Sequence, residues 1–195
     1  MSRIMTGIIA SKRVVPLLLL FVFQSAPMAQ SQSDKQWALK QSTLSYHMST
    51  ALTHQVDGVS HGAKGKGSCR AGECDFLIAA PVNSFDSGDS NRDLHMIQVT
   101  RGAQFPLVVV RTHIAEQQVT ESSIIYADLE VQFAGQTAKY GHIPFQVSRN
   151  GSEVKITGTI PATCSEFKID PPSFLTIPIK NEIPVKVDMD WRAAP

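Results

Sequence analysis

The chain has 195 residues, with 18 Lys and Arg against 17 Asp and Glu and a formal net charge of +1. That balance, with no basic stripe and no aromatics interleaved with arginine, excludes a charge-driven nucleic-acid binder.

Residues 1–29 read as a secretory signal peptide: Arg3, Lys12 and Arg13 make a basic start and Val14 to Phe23 an apolar core. Ser25-Ala26-Pro27-Met28-Ala29 supplies small residues for cleavage, most simply after Ala29. The apolar core is too short to span a bilayer as a helix, and no cysteine stands near the cut. A periplasmic or secreted protein with no permanent membrane anchor is therefore expected. Removing the three basic residues leaves 15 Lys and Arg against 17 Asp and Glu, a net charge of −2. Residues 30–36 read as a disordered leader and 37–192 as one domain long enough to bury its own core.

From Trp37 the pattern is that of strands. Leu44, Tyr46 and Met48 alternate with Ser45, His47 and Ser49 in a half-buried strand. Val59 to Lys66 is a weaker strand running into a glycine-rich turn, Gly65-Lys66-Gly67. Cys74, Phe76, Ile78 and Ala80 alternate until Pro81, which has no N–H to donate. Leu107 to Ile114, Ile124 to Phe133 and Thr137 to Val147 follow; Arg149-Asn150-Gly151-Ser152 reads as a hairpin turn centred on Asn-Gly, leading into Val154 and Ile156. Pro171 to Leu175 is a rigid corner, and Ile183, Val185, Val187, Met189 and Trp191 alternate in the last strand. Many short strands without a βαβ pattern predict an all-β antiparallel sheet, and closure into a barrel removes its edges.

One helix interrupts the strands. After Asn83 to Gly88, a run of turn-forming residues, Leu94, Ile97 and Gln98 fall on one helical face. Asp86, Asp89 or Ser90 supplies the N-cap and Asp93 suits the first turn, until Phe105-Pro106 restores a strand.

Three cysteines in an exported chain imply one disulfide and one thiol left over. Cys69 and Cys74 bracket the loop Arg70-Ala71-Gly72-Glu73 and would face each other across it, leaving Cys164 as a buried small hydrophobe. The six histidines show no metal-site spacing, although His54 and His61 could meet across a hairpin, and neither a metal nor a cofactor is expected. There is no G-x-S-x-G and no phosphate loop. Ser84, Asp93 and His95 hold the residue types of a hydrolase triad, but Asp93 and His95 diverge by about half a turn on a helix. A non-enzyme is expected, and Arg92, Asp93 and His95 either brace the helix against neighbouring strands or contact a ligand.

The block Ser84, Asp86, Gly88, Arg92, Asp93, His95, Phe105 and Pro106 resembles the YceI-like family of bacterial secreted lipid-binding proteins. Trp37 resembles that family's opening tryptophan, and the segment from Phe167 to Leu175 with the strand through Trp191 its closing part. The Cys69/Cys74 pair is a departure from the general pattern. The resemblance implies an extended, lipocalin-like, eight-stranded antiparallel β-barrel around a long isoprenoid chain. Its tunnel would be lined by Leu44, Tyr46, Met48, Phe76, Ile78, Val108, Val110, Val185, Val187 and Met189, whose alternation would equally suit a packed core. The implied function is carriage or sequestration of an isoprenoid lipid or quinone-like amphiphile, by a monomer or a homodimer. A lipid or ester hydrolase and a cavity-less envelope stress protein are the alternatives.

Overall fold

Strand β1 (Lys35–Ser49) is the seam on which the sheet closes. One edge pairs antiparallel with β11 (Val185–Ala193), from Trp37↔Ala193 to Tyr46↔Val185. Its other edge is shared: Lys35 to Ala38 pair with β3 (Lys64–Arg70) and Leu44 to Ser49 with β2 (Gln55–Ser60). From β3 the ladder runs through β4 (Glu73–Pro81), β5 (Leu107–Ala115), β6 (Ile124–Phe133), β7 (Gln136–Asn150) and β8 (Glu153–Ile160) to β11. Eight antiparallel strands thus close a barrel, and β2 is a ninth strand laid on the far half of β1. The outer edge of β2 is covered, because Val59 and Asp86 exchange two backbone hydrogen bonds of 2.9 Å. A small hairpin, β9 (Ser173–Phe174) with β10 (Ile177–Pro178), stands apart from the barrel sheet. The computed structural model describes residues 34–49, 55–170, 173–174 and 177–194; the expected signal peptide lies outside them.

The helices sit at opposite ends of the barrel. Helix α1 (Ser90–Val99) follows β4 and a single 3-10 turn, Val82–Ser84. Helix α2 (Glu116–Glu121) joins β5 to β6 at the other end. Strand direction fixes the layout: β4 and β8 run from the α2 end to the α1 end, β5 and β11 the reverse.

Several local expectations change. Val59 to Lys66 is not one strand, because His61-Gly62-Ala63 separates β2 from β3. Gly65-Lys66-Gly67 lies within β3 rather than in a turn, for a steric reason: a Cβ on Gly65 would come 2.7 Å from the Trp191 ring, and one on Gly67 2.4 Å from Phe76. Neighbouring aromatics fill the space that side chains would take. The β3–β4 turn has two residues, Ala71 and Gly72, both with positive φ as in a type I′ hairpin. Likewise Gly151-Ser152, not Asn150-Gly151, forms the β7–β8 turn. β1 begins at Lys35, inside the stretch assigned to the leader. Helix α2 is a second helix that the sequence reading did not contain.

On α1, Asp89 is the N-cap, accepting from the backbone N–H of Asn91 at 2.9 Å and Arg92 at 3.1 Å. Leu94 is exposed, so the helix does not turn its Leu94/Ile97/Gln98 face inward. Arg92, His95, Met96 and Val99, at i, i+3, i+4 and i+7, face the barrel interior instead.

Candidate functional site

Alternation around a closed sheet turns one side chain in two inward. Two bulges keep that face apolar. In β1 the register shifts between Leu39 and Gln41, so Trp37 and Leu39 face inward before the bulge and Leu44 and Tyr46 after it. In β7 the pairing with Ala127/Leu129 shifts, and Tyr140 and Ile143, three apart, are both buried in the core. His142, at the bulge with φ 59°, gives its backbone N–H to Asp128 Oδ1 at 2.7 Å.

The inward side chains do not fill the barrel. They enclose a cavity of about 290 Å³, near the lower end of the ~300–1,000 Å³ of small-molecule sites. Native interiors hold few voids larger than a water molecule. All ten residues expected to line a tunnel are on its wall: Leu44, Tyr46 and Met48 from β1; Phe76 and Ile78 from β4; Val108 and Val110 from β5; Val185, Val187 and Met189 from β11. Also on the wall, and not among those ten, are Ile125, Ala127, Leu129 and Val131 of β6, Val119 of α2, Phe85, Met96, and both tryptophans, Trp37 and Trp191. The β6 residues follow the same alternation and were legible by it; Val119 and Met96 were not.

The cavity's two ends differ. At the α2 end Trp37, Ile114, Val119, Ile125 and Val154 are all buried, and the wall is closed. At the α1 end His95 lines the cavity yet is exposed, so the cavity reaches the surface there. No residue of α1 is fully buried.

The helix-start residues divide by role. Arg92 and His95 are on the cavity wall; Ser84 and Asp93 are not. Arg92 and Asp93 do not pair with each other or with a strand: both use Ser87. Arg92 Nε donates to Ser87 Oγ at 2.9 Å and a terminal guanidinium nitrogen to the Ser87 carbonyl at 2.7 Å. Asp93 Oδ1 accepts from Ser87 Oγ at 2.6 Å and Ser87 N at 3.1 Å. The braces thus tie α1 to its own preceding turn. Ser84 Oγ donates to the Pro81 carbonyl at 2.6 Å and lies 2.6 Å from Ser60 Oγ, which also accepts from Gly62 N. Ser84 therefore latches β2 to the end of β4, and no Ser–His–Asp relay forms from Ser84, His95 and Asp93.

The few polar groups on the wall are mostly spoken for. Tyr46 packs against Phe85 with ring centroids 5.7 Å apart, and burial, then the Asp93 charge, push its phenol pKa up. Tyr140 gives its hydroxyl to Glu166 Oε2 at 2.8 Å, and burial with that bond raises its pKa. Cys164 is a buried free thiol whose pKa rises with burial, then with the nearby Glu182 charge. Cys69 and Cys74 form the disulfide, in register across β3 and β4. No group of metal-ligating side chains occurs among the described residues, and His54 lies outside them. No helix of the described residues is long and apolar enough to cross a membrane.

These features define a closed, lipocalin-like antiparallel barrel built around an apolar cavity that opens at one end. Solved structures of that class match it. A polyisoprenoid binding domain from Saccharophagus degradans implicated in plant cell wall breakdown aligns with TM-score 0.67 at 13% identity, over 81% of this chain and 98% of its own. BcnA of Burkholderia cenocepacia aligns with TM-score 0.62 at 16% identity, over 76% of this chain and 95% of its own. The YCEI protein of Campylobacter jejuni follows with TM-score 0.51 at 11% identity, over 62% and 72%. No family model and no curated protein matches the chain. The chain has the YceI-like fold.

Proposed function

We propose that this protein is an exported, non-catalytic carrier that holds a polyisoprenoid, or a quinone-like lipid with such a tail, inside its barrel. The observation that carries this reading is the apolar cavity itself, walled by inward residues of the strands and open beside Arg92 and His95. At ~0.8 kcal/mol per buried CH₂, each five-carbon unit contributes roughly 3–4 kcal/mol of gross burial. A few such units exceed any single hydrogen bond at the opening and offset the cost of immobilising the chain. Affinity then comes from the tail, while Arg92, His95 and Tyr46 meet the head group. The polyisoprenoid-binding domain that shares the fold supports this choice of ligand. The signal-peptide pattern of residues 1–29 supports export. The separate engagements of Ser84 and Asp93 support a non-catalytic role over a hydrolase. The cavity volume counts against a barrel filled by side chains alone.

Both tryptophans of the chain line the cavity, which provides the test. Delipidated protein titrated with a long polyprenol should show a saturable change in tryptophan emission that ends at one lipid per chain. A short prenyl alcohol should bind far more weakly. No saturable change with any long-chain amphiphile would overturn the reading.

A further inference from the structure

We infer that α2 is the floor of the cavity and that Val119 sets the length of chain the barrel accepts. The inference rests on the lipid-binding reading above and adds to it a specificity determinant. Helix α2 lies where the barrel would otherwise be open, between the ends of β5 and β6. It has only one buried residue, Val119, and that residue is on the cavity wall. Around it Ile114, Ile125, Val154 and Trp37 complete an apolar floor. The Trp37 indole N–H has no hydrogen-bond partner, but it is covered on all sides and so out of reach of a polar head. A head group placed at this floor would lose its water without replacement, whereas the methyl end of a tail loses nothing. The head is therefore at the α1 end and the tail tip against Val119.

A floor acts as a ruler only if it is held in place, and α2 is fastened on two sides, to the β3–β4 turn and to β7. Its first residue donates a backbone bond that extends the β4–β5 ladder, Glu116 N to the Gly72 carbonyl of the β3–β4 turn, at 2.8 Å. The Val119 carbonyl accepts from Arg149 Nε at 3.1 Å and from a terminal Arg149 nitrogen at 2.7 Å, and Gln118 shares the same guanidinium at 3.3 Å. Just past the helix, the Ser123 carbonyl accepts from Val147 N at 2.8 Å. By contrast, α1 at the open end is tied mainly to its own preceding turn. The closed end is the fixed one and the open end the one through which a lipid passes.

The test is a ladder of polyprenols differing by one isoprene unit, bound to delipidated wild type, Val119→Phe and Val119→Ala, with the longest well-bound member read by native mass spectrometry. Val119→Phe raises the floor and should cut affinity for that longest member by about tenfold or more, since an excluded five-carbon unit forfeits its burial. Val119→Ala deepens the site and should improve binding of the next longer polyprenol. Arg149→Ala releases the helix and should blur the length limit. A folded Val119→Phe protein with the wild-type limit would overturn the inference; if that variant does not fold, an unchanged limit in Val119→Ala does the same. Wild type that binds none of the ladder instead refutes the lipid-binding reading beneath it.

Discussion

Gly58 is buried in β2 directly opposite Tyr46, and the pair offers a quantitative test of how tightly the open end is packed. A Cβ on Gly58 would stand 2.2 Å from Tyr46 Cε1 and 2.3 Å from Cζ, where real contacts do not fall below 3.0 Å. The obstacle is a ring, held in turn by Phe85 and lying on the cavity wall, so it cannot swing away as a flexible chain end would. Gly58→Ala should therefore cost about 1–3 kcal/mol, the range for overpacking a close-fitted interior. For a domain of this size that lowers Tm by roughly 2–12 °C. The displaced ring also enters the cavity, so lipid affinity should fall in the same variant. Differential scanning calorimetry of Gly58→Ala, Tyr46→Ala and the double variant separates the cause, because contacting residues couple and distant ones add. In the Tyr46→Ala background the alanine at 58 should cost almost nothing. An equal cost in both backgrounds would show that the penalty is not the clash with the ring.

Asp89→Ala removes the cap of α1 and should cost about 1 kcal/mol. Since α1 buries no residue completely, the loss should appear as roughly fivefold faster amide exchange in α1 alone; unchanged exchange there would refute the capping role. His113 Nδ1 donates to Asp75 Oδ1 at 2.8 Å, and that bond, with the Asp75 and Glu73 charges, raises its pKa above the ordinary 6.5. Its small contribution to stability is thus complete below pH 6.5 and lost as pH rises through the higher folded value. An NMR titration should show the raised value, returned toward 6.5 by Asp75→Asn; no return would assign the shift elsewhere. Removing the disulfide with Cys69→Ala/Cys74→Ala releases a loop closed over a sequence separation of 5. The loss should be about 2 kcal/mol, measured by urea unfolding, and an unchanged midpoint would contradict the entropic role.

How much of this was readable in advance depends on what each residue has to do. Side chains that face the interior of a two-sided sheet must repeat every second residue, so Leu44, Tyr46, Met48, Val185, Val187 and Met189 announce the face they share. The closure of β1 on β11 follows from the need to cover edges, but which halves of β1 meet β2 and β3 does not. β3 was obscured because Gly65 and Gly67 carry no hydrophobic signal; the Trp191 and Phe76 rings on their neighbours supply the packing instead. The bulge after Leu39 puts Trp37 out of phase with Leu44, so alternation alone does not join them. Helix α2 is six residues with Val119 as its single buried side chain, too short for a helical period to show. On α1 the exposed leucine at 94 outweighed the mixed face of Arg92, His95, Met96 and Val99, although the cap at Asp89 was among the residues named. The disulfide was legible because its two cysteines flank one turn.

The most direct measurement is mass spectrometry of an organic extract of the protein purified gently from the cell that makes it. A lipid with a polyisoprenoid tail, present at about one per chain and absent from an unrelated barrel purified alongside, is the expected result. An extract with no long-chain amphiphile, from protein that also fails to take one up when offered it, would contradict the assignment of the cavity to a lipid.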